Sequence, residues 1–438
     1  MPETEPTTAP VRPWKKATER VLAWIRAARS VSGDSVAKTR RRIAAKAQAR
    51  CETRVWAALE RIEEGCLEVR LPSGGPRTFG DKASPVKALL EVLDPRALAR
   101  FALCGDIGLG DGYVAREWTT DDIPRLLGLL ARNNVFARPW PGRVSVADAM
   151  EKLNHERAGR NSHPQPGSGF FQLFLDSGMN QSCGYYGSPD DSMERAQYNK
   201  TRILIEKACL GASDHLLEIG CGWGSFAIEA ARHTGCRVTT VTMSESEYDY
   251  AYRRVRELRM EDRVTVLIKD YRTLPGPFDK IVCIEKIEGT GGRGLAEFFA
   301  SCDRLLKPSG LLVLQAMTVQ SSRRNLFRSG PDWVECRMHP GRQVPSLAAL
   351  CRAMARQSSF VIEDLENIGN HYTLTLQAWR QKLEQATEKA ETAGFDKKLI
   401  RKWLYGFSKQ QACFAARAMG NLQIVMTRPG NVSLPAFP

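Results

Sequence analysis

The sequence predicts an α/β protein built on a doubly wound, mostly parallel sheet with helical insertions, preceded by a small N-terminal α+β domain. Three observations lead there. Between Ser192 and about Val319, helical stretches alternate with short, nearly continuous apolar runs, the pattern of strands buried on both faces. One of these runs, Leu216 to Ile219, breaks into a glycine-spaced turn and then a helical stretch. The chain has 438 residues, enough for two to three domains at roughly 150 residues each.

Taken in order, residues 1–64 read as a basic arm. Its first ten positions are polar and rich in Pro and Thr, the composition of disorder. From Trp14 to about Glu64 the pattern turns helical, with Val21, Leu22, Trp24 and Ile25 on one face and Lys15, Lys16, Arg20 and Arg26 around it. The arm through residue 54 holds 13 Lys or Arg and 5 Asp or Glu, so more than half of the net charge of +14 sits there. Anionic lipid, nucleic acid and plain solvent are all compatible with such an arm, as is packing on the next domain or a weak presequence. Residues 65–150 read as the small α+β domain, with a strand at Cys66 to Leu71, helical stretches at Ala97 to Leu103 and Asp121 to Arg132, and a glycine-rich bend at Gly105 to Tyr113. Its end runs into a linker over 136–168 rich in Pro, Gly, Arg, Asn and Ser.

The main domain, 151–438, carries strands at Leu216 to Ile219, Arg237 to Val241, Val264 to Ile268, Lys280 to Ile284 and Leu311 to Leu314. Two helical stretches follow, Thr375 to about Ala393 and Lys397 to about Met419, and the domain closes on an apolar strand, Leu422 to Met426. No apolar run approaches the ~18 residues that span a bilayer. The twelve cysteines are scattered without a C-x-x-C pair and no secretory signal is read, so reduced thiols in a cytoplasmic compartment are expected and no metal site is. Nucleic-acid recognition lacks both zinc-ligand spacing and an aromatic sheet motif. The sequence sets no oligomeric state, and a homo-oligomer is compatible with it.

The sharpest local feature is Glu218-Ile219-Gly220-Cys221-Gly222-Trp223-Gly224. Side-chain-free positions let a ligand approach the backbone at the carboxyl edge of a strand, where open α/β sheets bind ligands. The spacing departs from the dinucleotide pattern G-x-G-x-x-G, and an acidic residue stands two positions before the first glycine. That arrangement resembles the first motif of S-adenosylmethionine-dependent methyltransferases.

The resemblance narrows when the flanking blocks are added. From about Phe79 to Val432 the chain resembles the cyclopropane-fatty-acyl-phospholipid synthase family, its plant-like members above all. The blocks are Phe170 to Asp176, Ser182 to Tyr185, the glycine turn, Asp270 to Arg272, Ile287-Glu288, Pro345 to Leu347, Glu366 to Tyr372 with Thr375, Leu376 and Trp379, and the terminal stretch Phe414 to Val432. The resemblance implies a Rossmann-like class I methyltransferase domain with a helical lid. It also implies a reaction in which the π-bond of a cis-unsaturated phospholipid acyl chain attacks the donor's methyl group, and a bound bicarbonate deprotonates the resulting carbocation so that a cyclopropane ring closes. Carried across by position, the bicarbonate grip is Cys183, Glu288, Gln315 and Tyr372 with the backbone near Met317; Gln315 stands where bacterial members place His. The donor pocket is Ser182, Glu218, Gly220, Gly222, Gly224, Thr242, Glu247, Asp270 and Tyr271. Each has a plainer reading: a buried thiol at Cys183, a core aromatic at Tyr372, a helix cap at Thr242 or Asp270. A lipid substrate implies a cytoplasmic enzyme held peripherally at a membrane surface.

Four departures from the family pattern fall near this site. The H-Y-D block reads His163-Pro164-Gln165, the aromatic before Ser-Cys is Gln181, the Glu-His pair is Glu288-Gly289, and a donor-pocket Gln is Glu247. They leave three readings: an active synthase, a methyltransferase on another acceptor such as a methyl-branched lipid or a small amine, and a membrane-associated donor-binding protein of weak activity.

Overall fold

The computed structural model describes residues 35–135, 166–289, 291–320, 332–340 and 342–431. His163, Pro164, Gln165 and the amphipathic stretch near Trp24 lie outside the described residues.

The N-terminal unit is a four-stranded sheet of β1 (Cys66–Arg70), β2 (Arg77–Gly80), β3 (Lys87–Val92) and β4 (Trp118–Thr119), in the order β2-β1-β3-β4. Three helices accompany it, α1 (Ser35–Leu59), α2 (Arg96–Val114) and α3 (Ile123–Arg132). The last turns of α1 bury Val55 and Leu59 in the same core as Leu67 and Phe101, so the span read as an arm contributes a packed helix to this unit. The glycine-rich stretch expected as a bend lies inside α2, kinked only at Gly105 (φ 52°, ψ −125°). Close packing explains why helix wins over propensity there: a Cβ on Gly110 would stand 2.4 Å from the Trp333 ring, and one on Gly112 3.1 Å from Trp118. Asp106 accepts from the Trp333 amide (3.0 Å) and from Lys409 (2.5 Å), while Asp111 accepts from the Trp333 indole (3.0 Å) and the Arg337 guanidinium (2.6 Å). These bonds tie the small unit to Trp333, Arg337 and Lys409 of the main domain.

The main domain holds seven strands: β5 (His215–Ile219), β6 (Arg237–Thr242), β7 (Val264–Ile268), β8 (Phe278–Ile284), β9 (Leu306–Val319), β10 (Val361–Asn367) and β11 (Met419–Thr427). Their order is β10-β11-β9-β8-β5-β6-β7, with β11 antiparallel to both neighbours and the run from β9 to β7 parallel. Successive side chains alternate between two buried faces, which is why the strands read as unbroken apolar runs. Leu216 packs with Phe226 and Ile228 of α6 (Ser225–Thr234), and Leu217 with Phe298 of α8 (Gly291–Leu305). The small α4 (Ser168–Phe171), then α5 (Met193–Lys207), α7 (Glu245–Glu257), α9 (Leu347–Gln357), α10 (Gly369–Gln385), α11 (Thr387–Thr392) and α12 (Lys397–Ala415) complete the fold. Every strand expected in this domain is present. The chain leaves β5 toward β6 and β7, then crosses back to β8 and β9, so the sheet's crevice opens between the carboxyl ends of β5 and β8.

Candidate active site

Two loops meet at that crevice. After β5 the amides of Gly220 and Cys221 both donate to the Val241 carbonyl (3.0 and 2.9 Å), and Gly220, Gly222 and Gly224 take φ of 92°, 47° and 85°. Those left-handed angles favour glycine. After β8 the chain turns through Glu285, a non-glycine residue at φ 50° whose amide donates to the Gln315 carbonyl (2.7 Å). Holding such a residue in the left-handed region costs roughly 1–2 kcal/mol and aims its side chain into the crevice.

Between the loops lies a cavity of about 260 Å³ whose lining includes a polar set and an aromatic set, the rings of the latter in mutual contact. The polar set is Ser182, Glu218, Gly220, Gly222, Ser244, Glu247 and Lys286. The aromatic set is Phe171, Trp379, Trp403 and Phe407, and Met317 and Met338 also line the cavity. Glu285 and Tyr372 line it as well.

Within the polar set Ser244 caps α7 by accepting from the Glu247 amide (3.3 Å), which holds Glu247 in the first turn. There it accepts from the Thr242 hydroxyl (2.6 Å) and pairs with Lys286 (3.1 Å), whose stem lies against Gly220. Burial pushes the Glu247 carboxyl up, but Lys286 and Thr242 outweigh it and hold the group below its ordinary range. Glu218, fully buried, accepts from the Thr240 hydroxyl (2.5 Å); burial pushes its carboxyl up to about 8 against the pull of Thr240, Lys286 and Lys200. Lys200 donates to Ser182 Oγ (3.0 Å) and Asn180 (3.1 Å), with burial holding its ammonium below the usual lysine range. Asp270 and Tyr271 do not line this cavity. Asp270 caps the short turn after β7 and is held by the Arg272 guanidinium (2.6 Å), and Tyr271 packs edge-on against Phe298. Gly224 packs against Ala251 and supports the turn from behind.

The side chains expected to hold bicarbonate come together, but around a different group. The Glu285 carboxylate accepts from the Cys183 amide (3.0 Å), Gln315 Nε2 (2.8 Å), Asn421 Nδ2 (2.6 Å) and the Tyr372 hydroxyl (2.7 Å). Gln315 Oε1 in turn accepts from Gln423 (3.0 Å), which points the amide nitrogen of Gln315 at Glu285. Bicarbonate presents the same O–C–O edge as a carboxylate, so with these donors already engaged the residues present do not fit a second anion. The Cys183 thiol is fully buried and pushed up by burial and by Glu285, so it is a neutral thiol and the residue serves the site through its backbone N–H. Glu288 is completely buried behind Met317: Oε1 accepts from the Met317 amide (2.7 Å) and Oε2 has no hydrogen-bond partner among the described residues. Burial, and then the nearby Glu285, push its carboxyl up to about 7. Gln181 lines the cavity, and Gly289 ends the short turn Ile287–Gly289.

Glu285, Lys286, Asn421, Lys200 and the aromatic wall on α12 are absent from the sequence reading. Glu285 had a signal, an acidic residue immediately after an apolar strand at the sheet's ligand edge. Trp403 and Phe407 sit four apart on a helix, which in sequence is indistinguishable from ordinary core packing.

Among known proteins, the family described as mycolic acid cyclopropane synthetase matches residues 151–424. The tuberculostearic acid methyltransferase of Mycobacterium tuberculosis is 29% identical over 364 residues, covering 80% of this chain and 85% of that protein. The cyclopropane-fatty-acyl-phospholipid synthase of Escherichia coli is 28% identical over 346 residues, covering 77% and 87%. Among solved structures, the cyclopropane synthase MmaA2 of M. tuberculosis superposes with a TM-score of 0.56 at 24% identity over 59% of this chain and 93% of its own, which supports the fold. With its methyltransferase-type sheet and glycine turn, the chain belongs to the mycolic acid cyclopropane synthetase family of S-adenosylmethionine-dependent methyltransferases.

Proposed function

We propose that this protein transfers the methyl carbon of S-adenosylmethionine to the cis double bond of an unsaturated phospholipid acyl chain and closes it to a cyclopropane. The observation that carries this reading is a single cavity lined both by the glycine turn with its polar neighbours and by a set of aromatic rings, with the buried carboxylate of Glu285 on its wall. The polar set suits a small zwitterion with a cationic sulfonium, because Glu218 and Glu247 offset its charge and the glycines admit it to the backbone. Phe171, Trp379, Trp403 and Phe407 suit an acyl chain, and aromatic faces also tolerate the positive charge that develops on it. The alkene π-pair forms the new C–C bond as the S–CH3 bond breaks toward sulfur, leaving a carbocation at the other alkene carbon. A chain drawn from a bilayer brings the enzyme to a membrane surface, where a basic arm adds roughly 1 kcal/mol per well-placed Lys or Arg. No helix among the described residues is long and apolar enough to cross a membrane.

The test is mass spectrometry of lipid from cis-unsaturated phospholipid vesicles incubated with the protein and methyl-trideuterated donor. Two deuteriums retained on the acyl chain are expected, with chromatography showing a ring. A methylene product with the same label supports a second reading, a methyl-branching enzyme, which the likeness to the tuberculostearic acid methyltransferase favours. Three deuteriums mean plain methylation, and no lipid label despite donor binding moves the acceptor elsewhere.

A pH dependence arises in the donor pocket. A cationic ligand beside Glu218 stabilises the ionised carboxylate, and in the free protein that group titrates near 8. Donor affinity is therefore expected to rise about tenfold from pH 7 to pH 9, with proton release visible by calorimetry in buffers of different ionisation enthalpy. Glu218→Gln should flatten that slope, and an unchanged slope would move the cation away from Glu218.

A further inference from the structure

We infer that Glu285 is the built-in base of the reaction and takes the place that a diffusible bicarbonate would fill, so that this enzyme works without bicarbonate. The inference rests on the lipid methyl transfer proposed above and names the proton acceptor within it.

The geometry is that of an anion site whose occupant is covalently attached. All four partners of the Glu285 carboxylate donate to it: a backbone N–H, two side-chain amides and a phenol. Three of them converge on Oε1 and the Tyr372 hydroxyl takes Oε2, the pattern that a carboxylate anion meets. The donors come from four separate elements: the segment before α5, strands β9 and β11, and helix α10. No single turn of chain makes this site; the whole crevice does. Gln423 fixes the Gln315 amide, and Tyr372 is stacked on Phe414 at 4.6 Å, so two of the donors are themselves held in place. The left-handed backbone at Glu285 is a local cost, and the carboxylate it carries stands on the cavity wall. Exchanging one anion for another in that cradle would require breaking four hydrogen bonds, so a free anion competes poorly with a tethered one.

In the reaction the Glu285 carboxylate accepts one proton from the methyl group just added, and the electron pair of that C–H bond closes the three-membered ring onto the cationic carbon. The carboxylate becomes a carboxylic acid, the cation is discharged, and the proton leaves to water when the product departs. Charge and atoms balance with no further reactant.

The test compares the full-length protein with Glu285→Gly and Glu285→Gln in carbon-dioxide-free buffer, with and without added 13C-bicarbonate. Glycine is at ease at φ 50°, so Glu285→Gly is expected to keep the fold, as a melting curve will show, while opening a space the size of a carboxylate. Wild-type turnover should be unaffected by bicarbonate, and the bicarbonate 13C resonance should not broaden on adding wild-type protein. Glu285→Gly should lose about 10²–10⁴-fold in turnover, broaden the 13C resonance, and recover activity as bicarbonate is added. Glu285→Gln fills the cradle with a neutral amide and should lose turnover without rescue and without broadening. Wild-type turnover that collapses on removing carbon dioxide and returns with bicarbonate overturns the inference. So does a folded Glu285→Gly protein that neither binds bicarbonate nor is rescued by it. The resonance measurement does not depend on lipid chemistry: broadening by Glu285→Gly alone, with no variant labelling any lipid, upholds the assignment of the cradle while rejecting the acyl chain as acceptor.

Discussion

Gly222→Val is expected to abolish binding of the methyl donor, weakening it by at least 100-fold, while the protein remains folded. The three glycines of the turn are not equivalent, and their surroundings single out this one. A Cβ on Gly220 would stand 2.3 Å from the Lys286 stem, so substitution there disturbs the Lys286–Glu247 pair before any ligand is considered. A Cβ on Gly224 would stand 3.0 Å from Ala251 and strain the packing of α6 on α7. At Gly222 a Cβ meets nothing within 4 Å and points into the open cavity. The backbone angle of 47° costs a non-glycine residue about 1–2 kcal/mol, more when β-branched, a loss that a melting curve measures separately. Gly222→Ala carries most of that backbone cost with two fewer methyl groups in the cavity, so its smaller loss of affinity calibrates the steric part. Calorimetry with S-adenosylhomocysteine gives the answer, and a Gly222→Val protein with normal affinity would place the donor site elsewhere.

How much of this was legible in the sequence varies with the physics of each element. Strands buried on both faces announce themselves because Leu216 and Leu217, or Val282 and Cys283, are apolar on either side of the sheet. β10 does not: its sequence, Val361-Ile-Glu-Asp-Leu-Glu-Asn, breaks its apolar residues with three acidic ones because it is an exposed edge paired on one side only, and tertiary pairing with β11 makes it a strand. The glycine turn was legible because its spacing is local. The Gly105 to Tyr113 stretch misled because the ring that requires glycine at position 110, Trp333, lies more than two hundred residues away. The same distance in sequence hid the role of Glu285. Cys183, Gln315 and Tyr372 were each identified by position within a resemblance, but that they converge on an internal carboxylate depends on four elements meeting, which no window of sequence contains.

Glu288→Gln is expected to leave donor binding intact, to have little effect on turnover near pH 6, and to cut it by about 10- to 100-fold near pH 8. Glu288 does not reach the cavity; it lies behind Met317 and holds that residue's amide, so it acts through its charge and through the strand it anchors. Below pH 7 its carboxyl is largely protonated, because burial and the neighbouring Glu285 both oppose ionisation, and a glutamine imitates that neutral form. Above pH 7 ionisation of Glu288 places a negative charge behind the cavity wall at Met317, which favours the carbocation. Wild-type turnover is therefore expected to rise through about pH 7, and the variant to stay at the low-pH level. Stability runs the other way. A carboxyl whose folded pKa lies above its unfolded value of 4.5 contributes stability that is fully present below 4.5 and is lost as pH rises through 7. By pH 8 that loss is on the order of 3 kcal/mol in the wild type and is absent in Glu288→Gln, which should accordingly melt higher than the wild type at pH 8 and about level with it at pH 4.5. A purely structural Glu288 would lower melting temperature and turnover together at every pH, so crossing trends in the two measurements separate an electrostatic role from a scaffolding one.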